Sequence, residues 1–213
     1  MSKGLLIVMS GPSGTGKGTV CDMLCSRNPQ IHCSISATTR PPRKGEIEGV
    51  SYYFLGENEF NRLRREGALL EWAEVYGHFY GTPLGKVEEA LNRGQDVLLE
   101  IDIQGAMIVK KNYSEGVFIF LLPPSMEELW RRIRGRGTDS LNVIKKRYSA
   151  AYHELNEVWN YDYSVLNERD QVIKAVNCIE AIIKAEKCQV QRNKDMLGKL
   201  FKEGEHIDLS LDR

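Results

Sequence analysis

The apolar run Leu5-Leu6-Ile7-Val8-Met9 passes directly into Ser10-Gly11-Pro12-Ser13-Gly14-Thr15-Gly16-Lys17-Gly18-Thr19, and this junction constrains the fold more than any other feature. Five apolar residues without alternation suit a strand buried on both faces of a parallel sheet. The G-x-x-x-x-G-K spacing that follows is that of a phosphate loop, in which backbone N–H groups wrap phosphate oxygens at a helix N-terminus and the lysine reaches the terminal phosphates. A helix is therefore expected from about Lys17, with Val20, Met23 and Leu24 on one side and Asn28-Pro29 as its stop. The Ser or Thr that usually follows the lysine is Gly18 here, with Thr19 next, so the spacing assigns no hydroxyl ligand to a magnesium ion.

Further along, Val97 to Ile103 and Val117 to Leu122 read as buried strands, the second ended by Pro123-Pro124. Ser125 and Glu128 have capping-box spacing, so a helix starts there and runs toward Arg134. Another helix is expected from about Ser140 through Leu155, then a strand over Tyr161 to Leu166, then a helix carrying Val172, Val176, Ile179 and Ile183. Strands alternating with helices give an α/β fold around a parallel sheet. Asp102 closes an apolar strand, where a Walker B-type carboxylate orients hydrated Mg²⁺, and Glu100 points to the same side.

Two stretches break the rhythm. Residues 34–85 hold short β-like pieces (Cys33 to Ala37, Tyr52 to Leu55, Leu69 to Tyr76) between glycines and prolines, and read as a small β-rich insertion. Residues 127–159 form a helical excursion carrying Arg131, Arg132, Arg134, Arg136, Lys145, Lys146 and Arg147. Tyr53, Phe54, Trp72, Trp130 and Trp159 are expected in the core. The tail after Lys187 carries no motif and reads as a frayed helical end.

Composition removes several function classes. Lys plus Arg and Asp plus Glu both number 29 in 213 residues, so no overall basic field exists to hold nucleic acid or an anionic membrane. No apolar run approaches a membrane span and the first residues do not form a signal peptide, so a cytoplasmic location is expected. The five cysteines lack a C-x-x-C pair and are expected as reduced packing thiols, with no disulfide or zinc. The four histidines fall at no metal-ligand spacing.

With the phosphate loop placed, the remaining motifs become informative. Ser34 through Glu46 (SISATTRPPRKGE), Gly49-Val50-Ser51-Tyr52-Tyr53-Phe54, Glu71-Trp72-Ala73-Glu74 and Tyr80-Gly81-Thr82 closely resemble the guanylate kinase family. So do Glu100-Ile101-Asp102-Ile103-Gln104-Gly105, Pro123-Pro124-Ser125 and Arg134-Gly135-Arg136-Gly137-Thr138, and the resemblance spans residues 4–185 in unbroken order. It implies a P-loop kinase fold: a parallel-sheet core (4–33, 86–126 and 160–185), a β-rich GMP-binding region (34–85) and a helical lid (127–159), with 186–213 as an extension. It implies Mg²⁺-dependent transfer of the ATP γ-phosphoryl group to GMP or dGMP, with ATP and GMP as the partners and a monomer or homo-oligomer as the assembly.

Carried over residue by residue, the resemblance implies that Gly11, Pro12, Ser13, Gly14, Thr15, Gly16, Lys17, Gly18, Thr19 and Asn167 bind ATP. It implies that Arg40, Arg43, Tyr52 and Tyr80 hold the GMP phosphate while Ser36, Glu71, Thr82 and Glu100 surround guanine. Lys17, Arg136 and Arg147 are the implied catalytic cations, and Asp102 the implied metal-side carboxylate, acting through water. The chemistry agrees: a carboxylate such as Glu71 accepts both N1–H and N2–H of guanine, whereas adenine presents an acceptor at N1. Guanidinium groups suit two-point contact with phosphate, and transfer between two anions needs cations more than a strong base. A non-catalytic binding module predicts a missing loop lysine, and a kinase for another base predicts no carboxylate at Glu71; Lys17 and Glu71 are both present.

Overall fold

The computed structural model describes residues 3–75, 77–135 and 141–205. The chain begins β1 (Leu6–Ser10), α1 (Lys17–Arg27), β2 (Ile31–Cys33), β3 (Ala37–Thr38), β4 (Tyr53–Phe54) and α2 (Glu57–Arg65). It continues β5 (Leu69–Val75), β6 (His78–Pro83), α3 (Leu84–Asn92), β7 (Asp96–Glu100), α4 (Ile103–Asn112) and β8 (Val117–Leu122). Next come α5 (Met126–Arg134), α6 (Leu141–Glu154), a 3₁₀ turn (Leu155–Asn160), β9 (Tyr163–Leu166), α7 (Val172–Lys187), a second 3₁₀ turn (Val190–Asn193) and α8 (Lys194–Glu205).

Five strands form a wholly parallel sheet in the order β2-β7-β1-β8-β9, with Ile7 opposite both Leu98 and Val117. Every residue of β1 is buried, and its neighbours explain why the run does not alternate. Leu5, Ile7 and Met9 face Val20 and Leu24 of α1 and Val176 and Ile179 of α7. Leu6 and Val8 face the opposite layer, made by Val87 and Leu91 of α3 and Ala106 and Val109 of α4. Each such side chain contributes roughly 1.5–3 kcal/mol by leaving water. The central strand is thereby fixed at its C-terminal end, where the phosphate loop begins.

The second sheet has the order β4-β3-β6-β5 and contains the antiparallel hairpin of β5 and β6, with Trp72 opposite Gly81. It bears one helix that the sequence did not announce. α2 buries a single apolar residue, Phe60, which stacks on Phe79 at a 5.6 Å centroid separation. One buried position gives no helical stripe to read. α5 and α6 pack on each other through Leu129, Ile133, Ile144 and Ala151, with Trp130 edge-on to Tyr148.

Several expectations need correction. β7 ends at Glu100 rather than Ile103, because Asp102 turns the chain: its Oδ1 accepts the Gly105 N–H at 2.8 Å and caps α4. Cys25, in the last turns of α1, is disulfide-bonded to Cys33 of β2, with Cα atoms 6.5 Å apart, so these two are not the reduced packing thiols expected. Trp159 is 90% exposed and Trp72 37%, so neither is core, and the Arg64 guanidinium covers the Trp72 ring at 4.6 Å. Over the described part of the tail, buried Glu186 accepts from Arg192 at 2.9 Å, tying the second 3₁₀ turn to α7 ahead of α8, where a frayed end was expected.

Candidate active site

Between β1 and α1 the loop turns on glycines with positive φ. Gly16, at φ +89°, sits at the N-cap of α1, and a Cβ there would lie 2.6 Å from Asn167 Nδ2. Gly11, at φ +145°, passes so close to β8 that a Cβ would lie 2.5 Å from the Leu121 carbonyl oxygen. The loop is braced from inside and from across the sheet. Thr15 Oγ1 donates to the Pro12 carbonyl at 2.9 Å, while Asn167 Nδ2 and Arg132 Nη1 both donate to the Thr15 carbonyl, at 2.7 and 3.2 Å. No side chain caps the first turn of α1, which leaves its N–H groups directed at the loop's concave side.

Lys17 Nζ donates back to the carbonyls of Gly11 at 2.6 Å and Pro12 at 3.2 Å. Burial lowers its pKa from the usual lysine value, and the charges of Glu100 and Glu154 oppose that shift. The loop lines a cavity of about 950 Å³ together with Glu74 and Val75 of β5, Glu100, Asp102, Gln104 and Met107, and Ala150, His153 and Glu154 of α6. Glu100 faces the first turn of α1, where a Cβ on Gly18 would lie 3.7 Å from both of its oxygens. α6 also touches the loop directly: Arg147 Nη2 donates to Ser13 Oγ at 2.8 Å.

The structure gathers the expected monophosphate residues in a second cluster. Arg40, 7% exposed, donates through Nε to the Tyr80 hydroxyl at 3.2 Å, and its guanidinium lies 5.4 Å from the Tyr52 ring centroid. Its fork, expected free for two-point phosphate contact, is held by Glu46 at 2.9 and 3.0 Å, with a further bond to the Pro41 carbonyl at 2.6 Å. Among the described residues, one Nη2 hydrogen of Arg40 remains uncommitted. Arg43 is exposed nearby and donates its backbone N–H to Glu46. Ser36 is half-buried, in the segment just before β3.

Glu71 and Thr82, two of the residues expected to surround the base, stand opposite each other on the hairpin. Thr82 donates to Glu71 Oε1 at 2.7 Å, and both residues are buried. Burial pushes the Glu71 carboxyl up to about 7, the Thr82 hydroxyl resists that shift, and the Asp102 charge adds to it. Gly105 leaves room for this carboxylate: a Cβ there would lie 2.5 Å from Glu71 Oε2. Glu71, Thr82 and the Arg40 cluster stand outside the lining of the large cavity, whereas the loop, Glu100 and Asp102 lie on it.

On the far side of the loop, Asn167 and Arg132 line a smaller cavity of about 250 Å³ with Gly14, Gly16 and Val172. The Asn167 side-chain oxygen is buried there without a hydrogen-bond partner. Arg136 lies outside the described residues. Sequence reasoning missed Arg132, Glu46 and Glu154. Only Glu46 sat in a quoted motif, three residues after Arg43, and the signal for Glu154 is its seven-residue spacing from Arg147 on α6. Among the described residues no three His, Cys, Asp or Glu side chains converge as a metal cage.

The sequence profile of the guanylate kinase family matches residues 3–186. A guanylate kinase of Caldanaerobacter subterraneus subsp. tengcongensis is 57% identical over 201 residues, covering 94% of this chain and 97% of that protein. One of Clostridium tetani is 57% identical over 204 residues, covering 96% of each. The crystal structure of guanylate kinase from Anaplasma phagocytophilum superposes with a TM-score of 0.76 at 37% identity, covering 90% of both chains.

Proposed function

The chain belongs to the guanylate kinase family, and on that premise we propose how its residues share the transfer of a phosphoryl group from ATP to GMP. The activity is that of a guanylate kinase (EC 2.7.4.8), giving ADP and GDP. Residues 34–85 serve GMP, residues 127–159 form the lid, and the parallel sheet carries the phosphate loop. The phosphates of ATP take the N–H groups of Gly11 to Thr19, and Lys17 leaves the Gly11 and Pro12 carbonyls to reach the terminal phosphates. Adenine lies against Asn167, whose unpartnered side-chain oxygen is an acceptor for an amino group.

The GMP phosphate is held by the Tyr52 and Tyr80 hydroxyls, the Arg40 charge with its one open N–H, and Arg43. Guanine is read by Glu71 and Thr82, with Ser36 and Glu100 at its edge. The supporting observation is the buried Glu71–Thr82 pair: a carboxylate already committed to one hydroxyl still has acceptor capacity for two adjacent N–H donors, a pattern guanine offers and adenine lacks. Arg147 and Arg136 close over the transferring group and neutralise its charge, which positions two anions without a general base.

Mg²⁺ fits this site as an ion carried by the ATP phosphates and their waters. Asp102 has one oxygen on the Gly105 N–H and the other available for a metal-bound water, and Glu100 stands beside it. When bound, the ion spreads the charge that develops on the phosphoryl oxygens. The test is ADP production from Mg-ATP with GMP, AMP, CMP or UMP supplied singly, against a control without acceptor. Turnover with GMP alone is expected, and turnover with another base would overturn the role given to Glu71 and Thr82.

A further inference from the structure

The phosphate loop departs from its usual form at one place. In a G-x-x-x-x-G-K-S/T loop the hydroxyl after the lysine is the protein's ligand to Mg²⁺, and here that residue is Gly18. Thr19 stands about 100° further round α1, where it borders both the large cavity and the smaller one beside Asn167. The face at residue 18 therefore carries no hydroxyl of its own.

A carboxylate lies over that bare face. Glu100 is the last residue of β7 and pairs with Met9 of β1, so it stands where β1 hands over to the loop. A Cβ on Gly18 would lie 3.7 Å from both Glu100 oxygens, and a hydroxyl one bond further out would come within hydrogen-bonding reach of them. Glycine leaves the carboxylate an open approach to the first turn of α1. Glu100 lines the large cavity with Lys17, Gly18 and Asp102, whereas Glu71 and Thr82 do not. An anion on a wall that receives ATP phosphates repels them unless a cation stands between. Mg²⁺ held by phosphates takes one or two carboxylates beside its waters, and Asp102 is proposed above for one of them.

We infer that Glu100 stands in for the missing loop hydroxyl: reaching across Gly18, its carboxylate accepts from a water of the Mg²⁺ carried by ATP. The inference rests on the guanylate kinase reading in taking the large cavity as the site of the ATP phosphates. It gives Glu100 a duty toward the metal, beyond its place at the edge of guanine.

The experiment uses isothermal titration calorimetry on the full chain to measure affinity for a non-hydrolysable ATP analogue in Mg²⁺ and in EDTA, with kcat, both KM values and Tm alongside. The variants are Glu100→Gln, Gly18→Ser and the two combined. Glutamine keeps the side chain's length and removes its charge at an exposed strand end, so Tm should hold. In the parent, Mg²⁺ should tighten the analogue about tenfold or more, and Glu100→Gln should reduce that gain to less than about twofold while affinity in EDTA stays within about threefold. Adding Gly18→Ser to Glu100→Gln brings back a hydroxyl and should restore a gain of at least about fivefold. KM for GMP should stay within about threefold in Glu100→Gln.

Four results would overturn the inference: an unchanged Mg²⁺ gain in Glu100→Gln, an affinity loss equal in Mg²⁺ and EDTA, no recovery from the added serine, or a KM rise confined to GMP. The larger assignment fails separately. A parent that does not phosphorylate GMP removes the guanylate kinase reading and this inference with it, whereas an active parent whose Mg²⁺ gain survives Glu100→Gln removes the inference alone.

Discussion

Glu71 accepts the Thr82 hydroxyl at 2.7 Å from a position only 4% exposed, and burial there lifts its carboxyl to about 7. The shift has consequences of opposite sign for binding and for stability. Guanine needs the ionised carboxylate, so apparent GMP affinity rises with pH through this value. Between pH 6 and pH 8, KM for GMP should fall about tenfold while KM for ATP stays flat, and Glu71→Gln should abolish the trend. Stability moves the other way. The folded state holds a proton up to about pH 7 that the unfolded chain releases near 4.5, so this group's contribution is full below 4.5 and is lost as pH rises through 7. Urea unfolding of the parent and of Glu71→Gln at pH 5 and pH 8 measures that loss.

Gly105 offers a test that removes no polar group. Its φ is ordinary for a helix, so alanine suits α4, yet the new methyl would lie 2.5 Å from Glu71 Oε2. Gly105→Ala should raise KM for GMP about tenfold, leave KM for ATP within about twofold, and change Tm little. A parallel rise in both KM values would place Glu71 outside the base pocket.

Lys17→Ala removes the cation proposed to leave the Gly11 and Pro12 carbonyls for the terminal phosphates. The expected cost is about 10³-fold or more in kcat with far-ultraviolet circular dichroism unchanged, since the loop keeps its Thr15, Asn167 and Arg132 braces. A near-normal rate in initial-velocity assays would take the loop lysine out of the mechanism.

Lid closure should be visible to a protease. Lys145 and Lys146 are exposed on the helix that carries Arg147. Saturating GMP with a non-hydrolysable ATP analogue should slow tryptic cleavage at these residues about tenfold, because bound nucleotide would add contacts to the Arg147–Ser13 bond that already joins α6 to the loop. Unchanged cleavage would argue against a mobile lid.

The parts of this molecule that were legible in the sequence are those set by strong local rules. The buried pentad before Gly11 needed a sheet on both sides, and Ser125 marked the start of α5, where it caps the Glu128 N–H at 3.1 Å. α2 was illegible because Phe60 alone anchors it, and the reach of Asp102 to Gly105 was hidden inside an apolar run that looked like continuous strand. The Cys25–Cys33 bond spans the turn between α1 and β2, a proximity no spacing rule conveys. For the site, motif position nominated Arg40 and Glu71, and the structure buries both side chains. The hold of Glu46 on the Arg40 fork was not legible, because it depends on how the segment between β3 and β4 folds back on itself.

The central claim is that Glu71 reads guanine while the phosphate loop serves ATP. Its most direct test is kcat/KM for GMP and for AMP, with KM for ATP, in the parent and in Glu71→Gln. The account expects a parent selective for GMP and a variant that loses about 10²-fold or more in kcat/KM for GMP, with KM for ATP unchanged. A variant that keeps its GMP preference, or weakens toward both substrates alike, would contradict it.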